Sequence, residues 1–345
     1  MTGLAGLHPA YFALVMATGI VSVACKLLLG LAPLADALLA INAVAFVVLW
    51  ALTAVRIARF PRRVLEDLGD HRRGVGFFST VAGTSVLGVQ CLLVRDLREA
   101  AIGLFVLALL LWTVLTYAVF TAFTVKAAKP TLAEGVHGGW LVAVVATESI
   151  ANLGGLLAGR EPGPHAALLF FALAFWLLGG MLYIWIISLI FYRFMFFPFS
   201  PSDLVPPYWV NMGAMAISAL AGTTLIASAP RSALLARMLP FLLGFTALFW
   251  ATATWWIPLL VILAVWKHVY RRIEVTYDPL AWSAVFPLGM YAVSTLQVAQ
   301  AMDAPFLLFL PRAFLFVALA AWGVTFAGLL RHLSRAARGG IHAAA

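Results

Sequence analysis

The chain has 345 residues, 64% of them hydrophobic and 10% charged, with a formal net charge of +9. Mean hydropathy is +1.03. A soluble domain carries about 25% charged residues, so this is an integral membrane protein with no stretch left over for a soluble domain. Nucleic-acid binding is excluded too, because the basic residues are dispersed as loop charges rather than gathered into a patch.

Apolar runs place ten spans, at 9–30, 32–56, 75–94, 100–124, 139–158, 165–192, 207–228, 238–266, 279–300 and 305–330. The segment before His8 has no Lys or Arg, so no cleaved signal peptide is expected. The first span carries Thr18, Gly19 and Ser22. The charged connection 59–74 is expected to be partly helical. The third span carries Ser79, Thr80, Gly83, Thr84, Ser85 and Gly88, whereas the fourth reads LFVLALLLWTVLTYAVF. The fifth holds Thr147, Glu148, Ser149 and Asn152, and the seventh Asn211, Gly213, Ser218, Gly222 and Thr223. Pro287, Gly289, Tyr291, Ser294, Thr295 and Gln297 interrupt the ninth.

Polar and small residues therefore gather on the odd spans, while the even spans are mostly Ala, Leu, Val, Phe and Trp. A membrane helix keeps such groups where other helices or water-filled space satisfy them. This alternation predicts an all-α fold with five parallel inner helices around a pore, inside five outer ones. Small residues that merely allow close helix packing are the competing explanation.

Basic residues set the expected orientation. Arg56, Arg59, Arg62, Arg63, Arg72 and Arg73 fall on one side, with Lys126, Lys129, Arg193 and the basic residues near 267–272 and 331–338. Lys26, Arg95, Arg98, Arg160, Arg231, Arg237 and Arg312 fall on the other. The positive-inside rule then makes the first side cytoplasmic, with both termini inside.

Each odd span begins with an aromatic: Tyr11, Phe77, Trp140, Trp209 and Trp282. Four residues inward, the common level reads Val15, Val81, Val144, Gly213 and Phe286. Only the ninth span places a large ring there. Pro287 has no N–H for the Ser283 carbonyl, so a kink is expected directly after Phe286. Phe286 is read as the obstruction of the pore. The candidate lining residues are Val15, Thr18, Gly19, Gly83, Thr84, Thr147, Glu148, Gly213, Ser218, Gly289 and Ser294.

Glu148 stands near the middle of the fifth span, where an unpaired charge costs at least ~2.5 kcal/mol. Either it joins helices as a neutral carboxyl, or it serves as a proton site or pore-lining group. The seven histidines lie in loops or at span ends, and no HExxH, paired CxxC, GxSxG, Walker or Rossmann pattern is present. Neither an enzyme nor a cofactor is expected. Cys25 and Cys91 fall in apolar runs and are read as packing residues rather than a disulfide.

Three stretches carry a family resemblance: HPAYFALVMATGIVSVA (8–24), PPYWVNMGAMAISALAG (206–222) and WSAVFPLGMY (282–291). They resemble the tellurite-resistance/dicarboxylate transporter family. That family includes the bacterial tellurite-resistance protein, fungal malate and sulfite permeases and plant slow anion channels. The resemblance covers essentially the whole membrane domain. It implies five helical hairpins around a central pore, one pore per subunit, usually in a homotrimer. It also implies that a phenylalanine on the ninth helix blocks the pore, a role that falls to Phe286 in the matching Phe-Pro step. Control through long cytoplasmic tails, as in the plant members, is not expected.

The leading functional expectation is a gated pore or uniporter for small anions such as chloride or nitrate. A proton-coupled carrier of C4-dicarboxylate or sulfite, using Glu148, is the alternative. A non-transporting membrane scaffold or sensor is a third class, but it has no need of polar groups on alternate spans.

Overall fold

The computed structural model describes residues 3–160 and 165–342, with the side chains of the last helix as far as Arg335. Among the described residues there is no strand. Ten of the described helices are long and apolar enough to cross a membrane. They are α1 (Pro9–Leu29), α2 (Ala32–Arg59), α3 (Gly74–Arg95), α4 (Arg98–Val125), α5 (Gly138–Arg160), α6 (Ala166–Phe196), α7 (Pro206–Arg231), α8 (Leu239–Tyr270), α9 (Pro279–Ala301) and α10 (Pro305–Arg335). The 59–74 connection contains a short helix, Pro61–Leu68.

Burial separates the two sets. In the apolar stretches of α1, α3, α5, α7 and α9, 72–94% of residues are buried, against at most 39% in those of the even helices. Neighbouring odd helices pack in the cyclic order α1–α3–α5–α7–α9–α1, and each even helix packs outside its own hairpin partner. The ring is therefore closed, and the inner helices all run the same way because an outer helix returns the chain after each one.

The hairpin turns show how local sequence enforces the return. Gly30 ends the first inner helix with φ 63°, and the Leu31 N–H reaches back to the Cys25 carbonyl at 3.3 Å. Asp96 repeats this after α3, with φ 53° and a 3.0 Å bond from Leu97 N–H to Cys91. Asp303 does so after α9, with φ 50°. Glycine and aspartate tolerate this left-handed cap, which satisfies carbonyls otherwise orphaned at a helix end.

A second repeat fastens the rings together. The Trp322 indole of α10 donates to Thr18 of α1 at 3.0 Å. Trp112 of α4 donates to Thr147 of α5 at 2.8 Å. Trp176 of α6 donates to the Ser218 carbonyl of α7 at 2.8 Å, and Trp250 of α8 to Thr295 of α9 at 3.0 Å. On α2 an amide does the same work, Asn42 Nδ2 donating to Gln90 Oε1 of α3 at 2.7 Å. Each outer helix thus bonds to the inner helix of the next hairpin. Such bonds contribute about 0.6 kcal/mol each in a membrane, so together they fix helix rotation more than they add stability.

At the other end of the ring, a 3-10 turn opens each inner helix, and the five turns touch in a closed cycle. His8 and His137 cap two of these turns, each accepting a backbone N–H through Nδ1 at 3.1 Å. Desolvation, helped by neighbouring arginine charge, lowers both imidazoles to about 4. Both caps are therefore neutral at neutral pH and keep the lone pair the bond requires.

Candidate functional site

The five inner helices enclose a cavity of about 270 Å³. Its deepest lining residues are Ile20 of α1, Val86 of α3, Ser149 of α5, Ile217 of α7 and Met290 of α9. From there it extends toward the C-terminal ends of the inner helices, where Arg160 and Arg231 line it. Asn152, Thr223, Thr224, Ser228 and Gln297 supply the polar groups between. Arg160 Nη1 also donates to Asp96 at 2.7 Å and to the Leu92 carbonyl at 3.1 Å.

Lining residues recur at the helical spacing of three and four, as at Met290, Val293 and Gln297 on α9. One turn deeper on that face stands Phe286. The same step on the other inner helices gives Met16, Ala82, Val145 and Gly213. All five positions are buried, and Phe286 has 0% exposure. The level therefore differs by one residue on α1, α3 and α5 from the one counted from the starting aromatics, and agrees on α7 and α9. At this level, among Met16, Ala82, Val145 and Gly213, Phe286 is the bulkiest side chain. Gly213 also lets α7 approach α9: a Cβ there would stand 2.7 Å from Pro287 Cγ. The helix Trp282–Ala301 continues unbroken through Pro287.

The other candidate residues lie close to this region without lining the cavity. The Thr18 and Thr147 hydroxyls are engaged by outer-ring tryptophans. Thr84, Ser218 and Ser294 donate to carbonyls of their own helices, at Thr80, Ala214 and Tyr291. A Cβ at Gly19 would meet Val86, one at Gly83 would meet the Phe12 carbonyl, and one at Gly289 would meet Ile20. These glycines mark seams between inner helices. Val15 is fully buried.

Glu148 has 0% exposure, and among the described residues neither carboxyl oxygen makes a well-formed hydrogen bond. Its carboxyl lies against Gly179 of α6, where any Cβ would overlap it. The neighbouring Ser218 hydroxyl is committed to Ala214 at 2.9 Å. The next residue, Ser149, lines the cavity, so Glu148 faces the seam between inner and outer rings.

Arg160, Arg231 and Thr224 were not singled out as lining residues from the sequence. Their signal was the stripe itself: Ser149–Asn152–Gly159/Arg160 on α5 and Ile217–Leu220–Thr224–Arg231 on α7.

The sequence model of the voltage-dependent anion channel family matches residues 6–330. The chain belongs to this family. The resemblance carried by the three stretches is thereby borne out. The chain is similar to an uncharacterized membrane protein of Mycobacterium tuberculosis, 40% identical over 155 residues, which is 44% of this chain and 77% of that protein. It is also similar to an uncharacterized transporter of Methanocaldococcus jannaschii, 25% identical over 299 residues, or 83% of this chain and 82% of that one. A voltage-dependent anion channel family member with ten apolar helices is a multi-pass membrane protein of the channel and transporter type.

Proposed function

We propose that this chain forms a gated pore or uniporter for small anions, closed by Phe286 and aimed by Pro287. One observation supports the reading: the five inner helices line a cavity with two arginines at one end, and one helical turn beyond its deepest residues stands the fully buried Phe286, the largest side chain of that level. Arginines at the mouth raise the local anion concentration, whereas an apolar constriction shuts by excluding water. The lack of an arginine or lysine deep in the cavity suits rapid passage rather than tight capture. The substrate is a small anion: chloride, nitrate, sulfite or a C4-dicarboxylate. The assembly is read as a homotrimer with one pore per subunit, on the strength of the family. The lipid bilayer is its other partner, and the cell membrane its location.

The orientation follows the loop charges. The His8 and His137 end is taken as cytoplasmic, with both termini, and the Arg160 and Arg231 end as external. A cysteine at Asp70 should stay unreactive toward an impermeant thiol reagent added to intact cells. Labelling there would invert the orientation.

A proton-coupled carrier is the second reading, favoured by the fully buried carboxyl of Glu148. Reversal potentials in proteoliposomes under separate anion and pH gradients decide between the two. A channel follows the anion gradient alone. If Glu148 moves protons, Glu148→Gln should abolish the response to pH while preserving folding, because the amide keeps the shape and cannot ionise. An unchanged pH profile in that variant removes the carrier reading.

A further inference from the structure

The two sides of the cavity differ in chemistry. Its α1 and α3 walls contribute only Ile20, Val23, Leu27, Val86, Val89 and Leu93. Every polar lining group comes from the opposite arc of α5, α7 and α9. There the Thr224 hydroxyl meets Asn152 Oδ1 at 2.8 Å and ties α5 to α7. The hydroxyls of Ser149, Thr223 and Ser228 donate to carbonyls of their own helices, at Val145, Leu220 and Thr224. The side-chain amides on this arc are those of Asn152 and Gln297, with Arg160 and Arg231 at the mouth.

A bare halide or nitrate gains nothing from an aliphatic half-wall, which cannot replace any hydration it loses. An anion with one charged end and a short apolar body uses both halves. We infer that the cavity is a binding site for short-chain monocarboxylates. The carboxylate faces the Asn152 side, and a body of two to four carbons lies against Val23, Val86 and Val89. At ~30 Å³ per water, the cavity holds roughly nine waters, which leaves room for such an anion with part of its hydration shell. A dicarboxylate must either press its second charge on the aliphatic wall or crowd both charges onto one arc. The inference rests on the small-anion pore only in placing this site on a transport path.

Binding and flux therefore need separate tests. Formate, acetate, propionate, butyrate, nitrate and succinate are titrated against the melting temperature of the detergent-solubilised chain, at matched ionic strength and fixed pH. The apparent Kd is expected to fall by up to about fourfold per added methylene, the effect of burying one CH₂. Butyrate should bind more tightly than nitrate or succinate. Val89→Asn, and the shape-preserving Val23→Thr, should reduce the gain to less than about twofold per methylene. Asn152→Leu should weaken the whole series without changing its slope. A flat series in the parent protein, no binding at all, or succinate binding more tightly than butyrate would each overturn the inference. A steep series with no anion flux in liposomes would sink the pore reading and leave the site standing.

Discussion

Phe286→Ala is expected to raise anion conductance about tenfold or more, equivalent to removing at least about 1.4 kcal/mol of barrier. The ring lies one turn below Met290 on the cavity-facing stripe, where its counterparts on α3 and α7 are Ala82 and Gly213. Truncation should extend the cavity through the level that closes it and let water wet the constriction. Because Phe286 is fully buried, the variant should also lose stability, and truncating a core phenylalanine costs about 3–5 kcal/mol. Water entering the new space would place the loss at the low end of that range. Phe286→Leu should fall between parent and alanine in conductance. Pro287→Ala should alter conductance without removing the obstruction, since it restores a backbone N–H and shifts the ring. The measurement is single-channel current or liposome flux at matched protein amounts. A folded Phe286→Ala variant conducting no better than the parent would sink the gate assignment and leave the ring as core packing.

Asp67→Asn is expected to cost about 3 kcal/mol, for a different reason. Asp67 sits between two arginines beyond the membrane-spanning part of α2. Its Oδ2 accepts from Arg56 at 2.6 Å, and its Oδ1 from Arg73 at 2.7 Å. The Arg56 side chain is 5% exposed and also holds the Ala5 carbonyl at 3.2 Å, while Arg73 reaches the Leu7 carbonyl at 3.5 Å. This cluster pins the segment before His8 over the first 3-10 turn. Neutralising Asp67 leaves Arg56 buried without a counter-charge, which costs more than the pair itself contributes. Asp67→Asn should lower the melting temperature and the yield of folded protein. Adding Arg56→Gln to it should recover part of the loss. A cost under about 1 kcal/mol would mean that Arg56 is hydrated in solution and that the cluster behaves as a surface pair.

Span positions and their sorting into two rings were legible in the sequence. Length and hydropathy locate a helix that must satisfy its own backbone in lipid. An outer helix faces hydrocarbon on one side and so stays apolar, while an inner helix touches only protein or water and is free to carry Thr18, Glu148 or Asn211. That contrast survives any error in helix rotation, because it concerns the content of whole spans.

Rotation itself was decided by the tertiary structure. A helix in a sheet or bundle with one wet face shows which side is buried through its amphipathic period. The inner helices have no such broad wet face, since protein surrounds them everywhere except along the narrow cavity, and their polar residues are spread round the axis. Thr18 and Thr147 turn outward to tryptophans on neighbouring hairpins, yet Asn152, one turn on from Glu148, lines the cavity. Glu148 and Ser149 are adjacent in the chain and about 100° apart around the helix. One meets Gly179 of the outer ring and the other the cavity. Nothing within a single inner helix distinguishes those directions. They follow from which neighbour supplies an indole N–H, a glycine notch or open space, and only the closed ring brings those neighbours together.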